Sequence, residues 1–200
     1  MPYRETARSR AHKEDVRSRI LQEAIVLFGE RGYEATGMRE IAGAAGTSIG
    51  NCYFYFANKE ALLLAAVDAI IADISAEADA AARAAVDGGP REQARALVSA
   101  GMQAALKRPV VTALMLSEAA RAPVRERIRT HFTARTARFF AAYPELSGTA
   151  SPEAVAAAWQ GTILNVLERY LTGGLDYSGD EIAAFTADWN LAALTSLSAE

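Results

Sequence analysis

The chain has little of what catalytic and metal centres are made from. It carries one cysteine, Cys52, and two histidines, His12 and His131, far apart in sequence. One cysteine excludes an internal disulfide, and such isolated histidines suggest neither a metal cluster nor a Cys–His nucleophile pair. No catalytic residue, metal site or cofactor is expected, and Cys52 reads as a small apolar filler. A run of about 18 apolar residues, roughly what a membrane span requires, is also missing. The chain opens on polar, basic residues and not on an apolar signal region, which places the protein in the cytoplasm. Runs of β-branched residues are scarce, whereas alanine and other helix formers dominate the 200 residues. The fold class is therefore all-α, in about nine helices.

What is present is organised around Thr36 to Leu62. Met38, Ile41, Ala42 and Ala45 fall at spacings of three and four, the stripe of a short amphipathic helix, and Gly46 stands where a helix must end and turn. Thr47 and Ser48 can cap a second short helix over Ile49 to Phe56, and Asn58 can cap a third, longer one from Lys59. A helix, a tight glycine turn and a second helix of about two turns is the sequence form of a helix-turn-helix, whose second helix fits a DNA major groove. Phe54 and Phe56 are read as core residues.

The net charge of −3 suits a DNA-binding role only once it is divided. From Met1 to Lys59 there are nine Lys and Arg against seven Asp and Glu, and the remainder has twelve against seventeen. Arg4, Arg8, Arg10 and Lys13 oppose only Glu5 near the start, in a tail with almost nothing apolar to bury. It is read as a disordered, solvated terminus, with an arm gripping the DNA backbone or minor groove as the alternative.

Further along, the first helix is expected from about Asp15 to Arg31, stopped by Gly32, with Tyr33 packing back on a three-helix core. The helix from Lys59 carries Leu62, Leu63, Ala66, Val67, Ile70, Ile71 and Ile74. Asp87-Gly88-Gly89-Pro90 breaks the chain, and helices follow from Arg91 to Lys107, Val110 to Arg121, and Pro123 to about Tyr143. Arg121, Arg125, Arg127, Arg129 and Arg138 are read as a solvated face. Ser151-Pro152-Glu153 opens the next helix, and Ser178 or Asp180 the last. This last pair is apolar over more than a narrow stripe. Val155, Ala158, Ile163, Val166, Tyr170, Phe185 and Trp189 are its candidate homodimer face, with an ordinary buried hairpin as the alternative.

The stretch RILQEAIVLFGERGYEATGMREIAGAAGTSIGNCYFYFANKEALL from Arg19 resembles the DNA-binding domain of the TetR family of bacterial transcriptional regulators. The likeness rests on Ala24, Phe28, Gly32, Tyr33, Ile41-Ala42, Gly46, Ser48, Gly50, Tyr53, Phe56 and Lys59-Glu60, about a third of the chain. Gly37 stands where the family usually has Ser or Thr, Thr47 for Val, Asn51 for Thr and Cys52 for Leu, departures that bear on the DNA sequence read and not on the fold. The domains are then 1–58, a basic arm and helix-turn-helix, and 59–200, an effector-binding and dimerisation domain.

Asn51 is the candidate base reader, because its amide can pair with adenine N6 and N7, and Gly50 would allow close backbone approach. By resemblance, Thr47, Ser48, Tyr53, Tyr55 and Lys59 are phosphate contacts, with Arg39 a further candidate. The family also implies a ligand in the larger domain that loosens DNA binding. Met102, Met115, Phe132, Phe139 and Trp159 are candidate lining, and Glu118, His131 and Arg135 candidate polar anchors for an apolar or aromatic molecule. The expected function is a homodimeric repressor on a palindromic operator, released by a small molecule. The alternatives are a regulator of the same build that activates or answers to a partner protein, and a helical enzyme or transport module with a similar corner.

Overall fold

The computed structural model describes residues 7–108, 112 and 122–197. Among the described residues there are eight α-helices: α1 Ala7–Arg31, α2 Met38–Ala44, α3 Ile49–Tyr55, α4 Lys59–Ala84, α5 Gly89–Leu106, α6 Ala122–Ala142, α7 Pro152–Leu171 and α8 Gly179–Leu197. The expected helix from Val110 to Arg121 lies outside the described residues except for Thr112, as do Arg4, Glu5, Met115, Glu118 and Arg121. The chain divides into two compact units, Met1–Ala69 and Ile70–Glu200, so α4 begins in the first and ends in the second.

In the first unit, α1 starts eight residues earlier than the apolar stripe implied. Its first two turns, ARSRAHKE, are built of Ala, Arg, Lys and Glu, which favour helix without needing a buried face. Residues 7–13 are therefore helical, not the disordered tail their charge suggested, and Arg10, His12 and Lys13 are exposed. Val16, Ile20, Ala24, Leu27 and Phe28 of α1 are buried with Met38, Ile41 and Ala42 of α2 and Cys52 and Phe56 at α3. Tyr33 lies against Phe28 with ring centroids 5.5 Å apart, as expected. Burial also pushes the Cys52 thiol upward, in keeping with a filler and not a nucleophile.

The link between α1 and α2 is pinned by polar contacts. Thr36, 1% exposed, donates its hydroxyl to the carbonyls of Leu27 at 3.1 Å and Gly32 at 2.8 Å, satisfying acceptors that the end of α1 leaves open. Arg31 pairs with Glu40 across the same link.

In the second unit, α6 packs along α7 and α5 along α8. Ser151 and Pro152 start α7 as read, with the Ser151 hydroxyl accepting from the Ala154 N–H at 3.2 Å. Ser178 opens α8 through a reciprocal box: its N–H donates to Glu181 at 2.8 Å and its hydroxyl accepts from the Glu181 N–H at 3.3 Å. Several polar groups of this unit pair between elements, as in Gln160 to Thr136 at 2.6 Å and Tyr143 to Gln93 at 3.2 Å. Arg125, Arg127, Arg129 and Arg138 are exposed, as the solvated-face reading requires. No described helix is long and apolar enough to cross a membrane.

Candidate nucleic-acid interface

The corner between α2 and α3 is fixed by backbone chemistry that only a glycine serves well. Gly46 has φ +62°, and its N–H donates to Gly43 at 3.2 Å while the Thr47 N–H reaches back to Ala42 at 2.9 Å. These are the two bonds of a left-handed helix stop. Ser48 then caps α3, its hydroxyl accepting from the Asn51 N–H at 3.1 Å. Asn58 caps α4, accepting from the Ala61 N–H at 2.8 Å. Gly37 provides α2 with no side-chain cap, as glycine must.

One side of α3 is buried and the other is open. Cys52 is fully buried, while Ile49, Gly50, Asn51, Tyr53 and Phe54 are exposed and Tyr55 is half-buried. Phe54 corrects the sequence reading: at 70% exposed it is not core, and its ring stands edge-on to Tyr55 with centroids 5.0 Å apart. Phe56, 4% exposed, is core as read.

The candidate readers differ in how they are held. The Asn51 amide donates one of its two hydrogens to the Thr47 hydroxyl at 2.9 Å. That bond orients the amide and leaves its carbonyl and second hydrogen for a base edge. Ser48 and Arg39 are exposed and Thr47 half-buried. A Cβ added at Gly50 would meet only the Ser48 hydroxyl, at 3.7 Å, so the protein side of that position is open.

Lys59 is held differently from what its place at a helix start implied. Its ammonium donates to the carbonyls of Tyr33 at 2.8 Å and Thr36 at 3.1 Å and lies 4.1 Å from the centroid of the Tyr33 ring. Two of its three hydrogens thus tie α4 to the link after α1. These partners lie 26 and 23 residues away, so no local pattern could have revealed them.

The second unit contains a partly open apolar cavity of about 70 Å³. Of the expected lining, Met102, Phe132, Arg135 and Trp159 are on its wall, joined by residues not singled out from sequence, among them Ile74, Leu97, Ile128 and Leu164. Ile163, a half-buried residue of the expected dimer face, also lines it. A separate open groove of about 410 Å³ holds Ser75, Asp79, His131, Arg138 and Phe139, and shares Leu97 and Arg135 with the cavity. His131 and Phe139 belong to this groove and not to the cavity, and His131 lies 3.1 Å from the Ser75 hydroxyl.

The expected dimer face is divided. Val155 is buried inside its own chain, which removes it, whereas Ala158, Phe185 and Trp189 are exposed and Val166 and Tyr170 half-buried. Tyr177 stacks on Phe185, and Phe185 lies tilted against Trp189, both at 6.1 Å between centroids. Tyr177, 49% exposed, was not foreseen because it precedes α8 and belongs to no helical stripe.

Residues 20–66, which contain the corner and both of its helices, match the family model described as bacterial regulatory proteins, tetR family. Over these residues the chain is similar to the TetR family. Over 113 residues, 56% of this chain and 55% of the relative, the chain is 33% identical to the HTH-type transcriptional regulator BetI of Rhizobium meliloti (strain 1021). The chain spans about half the length, or less, of the curated relatives it matches. Among solved structures, the fold is shared with NalD of Pseudomonas aeruginosa, the secondary repressor of the MexAB-OprM multidrug efflux pump. The TM-score is 0.67 at 20% identity, covering 91% of this chain and 96% of that one. It is also shared with the TetR-family repressor FadR of Thermus thermophilus, solved with lauroyl-CoA, at a TM-score of 0.64 and 25% identity, covering 90% and 93%. The TetR-family match thus covers the candidate readers Arg39 to Lys59, and the structural likeness extends over both units.

Proposed function

We propose that the protein is a homodimeric transcriptional repressor that binds a palindromic operator in cytoplasmic DNA and is released by a small molecule. The observation that carries this reading is the open side of α3: Gly50, Asn51, Tyr53 and Phe54 face outward on a helix of seven residues, beside a cap and a glycine corner that fix its direction. Exposed aromatic groups weaken a protein surface in water, so a helix that presents them serves a partner.

Asn51 reads a base edge, Gly50 allows the backbone to come close, and Arg39, Thr47, Ser48, Tyr53 and Tyr55 hold phosphates. Phe54 lies against a thymine methyl or a sugar. Residues 1–58 form the DNA-binding part and 59–200 the effector and dimer part. The exposed row Tyr177, Phe185 and Trp189 supports a self-complementary face between two copies, to which Ala158, Val166 and Tyr170 also contribute. The apolar cavity of the second unit supports an effector site there.

Fluorescence anisotropy with duplexes tiled across the DNA flanking the protein's own gene tests the proposal. One duplex bound as a dimer, with affinity falling steeply as salt rises, is the expected result. Equal, weak binding to every duplex would overturn it.

A further inference from the structure

Among the described residues, three buried polar atoms of the second unit have no hydrogen-bond partner, the Ser147 hydroxyl, Arg135 Nε and Trp159 Nε1, and the last two belong together. Both residues line the apolar cavity. Trp159 is 4% exposed and the Arg135 side chain 12%, so neither donor reaches bulk water easily. The other polar groups nearby are already used, Gln160 by Thr136 and Ser75 by His131. Both donors are covered in this form of the cavity, whose wall is almost wholly apolar, so a widened cavity would uncover donors that ask for acceptors, since a buried donor left unmade costs its full desolvation.

The charge beside it has one sign in excess. Arg135 is paired with Asp79 through its terminal nitrogen, and Arg138 joins Arg135 and His131 in the groove that shares Leu97 and Arg135 with the cavity. Two guanidinium groups against one carboxylate favour an anion at this junction.

We infer that the effector is an amphiphile with an apolar chain and an anionic oxygen headgroup, a straight-chain carboxylate being its simplest form. The chain lies among Ile74, Met102, Ile128, Phe132 and Leu164, and the headgroup oxygens accept from Arg135 Nε and Trp159 Nε1. This rests on the reading of the second unit as an effector domain. Small-molecule sites usually measure roughly 300–1,000 Å³, so a cavity of about 70 Å³ must widen to take such a chain. A ligand that binds only the widened form shifts the population of forms, as release from DNA requires.

The test is isothermal titration of the full chain with octanoate and dodecanoate below their micellar concentrations, with dodecanoyl thioester as the second oxygen-headed source and dodecyltrimethylammonium as a cationic amphiphile. Trp159→Phe keeps the ring and removes the donor. It is expected to weaken carboxylate binding about tenfold while leaving the melting temperature equal or higher, because an unmatched donor is gone. Arg135→Lys is expected to weaken it as well. Tighter binding of the thioester, whose carbonyl is uncharged, than of the free acid would overturn the anionic headgroup. Unchanged carboxylate affinity in Trp159→Phe, or preference for the cationic amphiphile, would overturn the headgroup assignment while leaving the effector site standing. Failure of every amphiphile to bind would overturn this inference, and failure of every compound in a broader apolar and aromatic panel to release DNA would overturn the effector site itself.

Discussion

Lys59→Met separates two roles that a lysine at a helix start can play. The substitution keeps most of the aliphatic stem and removes an ammonium that donates to Tyr33 and Thr36 and lies over the Tyr33 ring. A hydrogen bond to a charged group contributes about 1.5–3 kcal/mol and a cation–π contact about 0.5–1. Lys59 is half-buried, so water can replace part of what is lost, and the expected cost is about 2 kcal/mol. Urea unfolding followed by circular dichroism should show an earlier midpoint at unchanged slope. The salt dependence of DNA binding should stay as in the parent, because the charge is committed inside the protein. A loss of stability below about 0.5 kcal/mol, with the salt slope reduced by about one, would show a phosphate ligand instead and refute the reasoning.

Gly46→Ala should cost about 1–2 kcal/mol from the left-handed backbone alone, because nothing lies within 4 Å of the added Cβ; urea unfolding measures it. Trp189→Asp should give a folded monomer by analytical ultracentrifugation. The 60% of the indole left exposed is roughly 150 Å², worth at most ~4 kcal/mol per protomer on burial. The Glu181 carboxyl is held below the usual glutamate range by the Ser178 N–H and hydroxyl. A lowered folded-state value means that its stabilising effect is present above the ordinary glutamate range and is lost as pH falls through the lowered value. Glu181→Gln should therefore flatten the acid limb of the stability profile in that window and leave the neutral region little changed in slope.

Local chemistry made much of the fold readable. Gly32, Gly46, Ser48, Asn58 and Ser151 act within four residues of themselves, so their effects on helix ends are visible in the chain. Outward and inward faces were harder. On a helix of two turns the period is too short to assign every aromatic, which is how Phe54 was taken for core. On α7, apolar residues run around most of the circumference, so the buried Val155 could not be told from surface residues by spacing. The start of α1 was hidden because helix propensity in a charged segment leaves no apolar stripe. The Lys59 contacts and the Arg135–Asp79 pair join residues 23 to 56 positions apart, and only the fold brings them together.

The most direct test is the affinity of the parent and of Asn51→Ala for an operator in which each base pair is replaced in turn. The parent should lose about 1–3 kcal/mol at one A·T pair in each half-site, and Asn51→Ala should lose that discrimination while keeping the same salt slope. Identical base preferences in the two proteins would contradict the placement of α3 in the major groove.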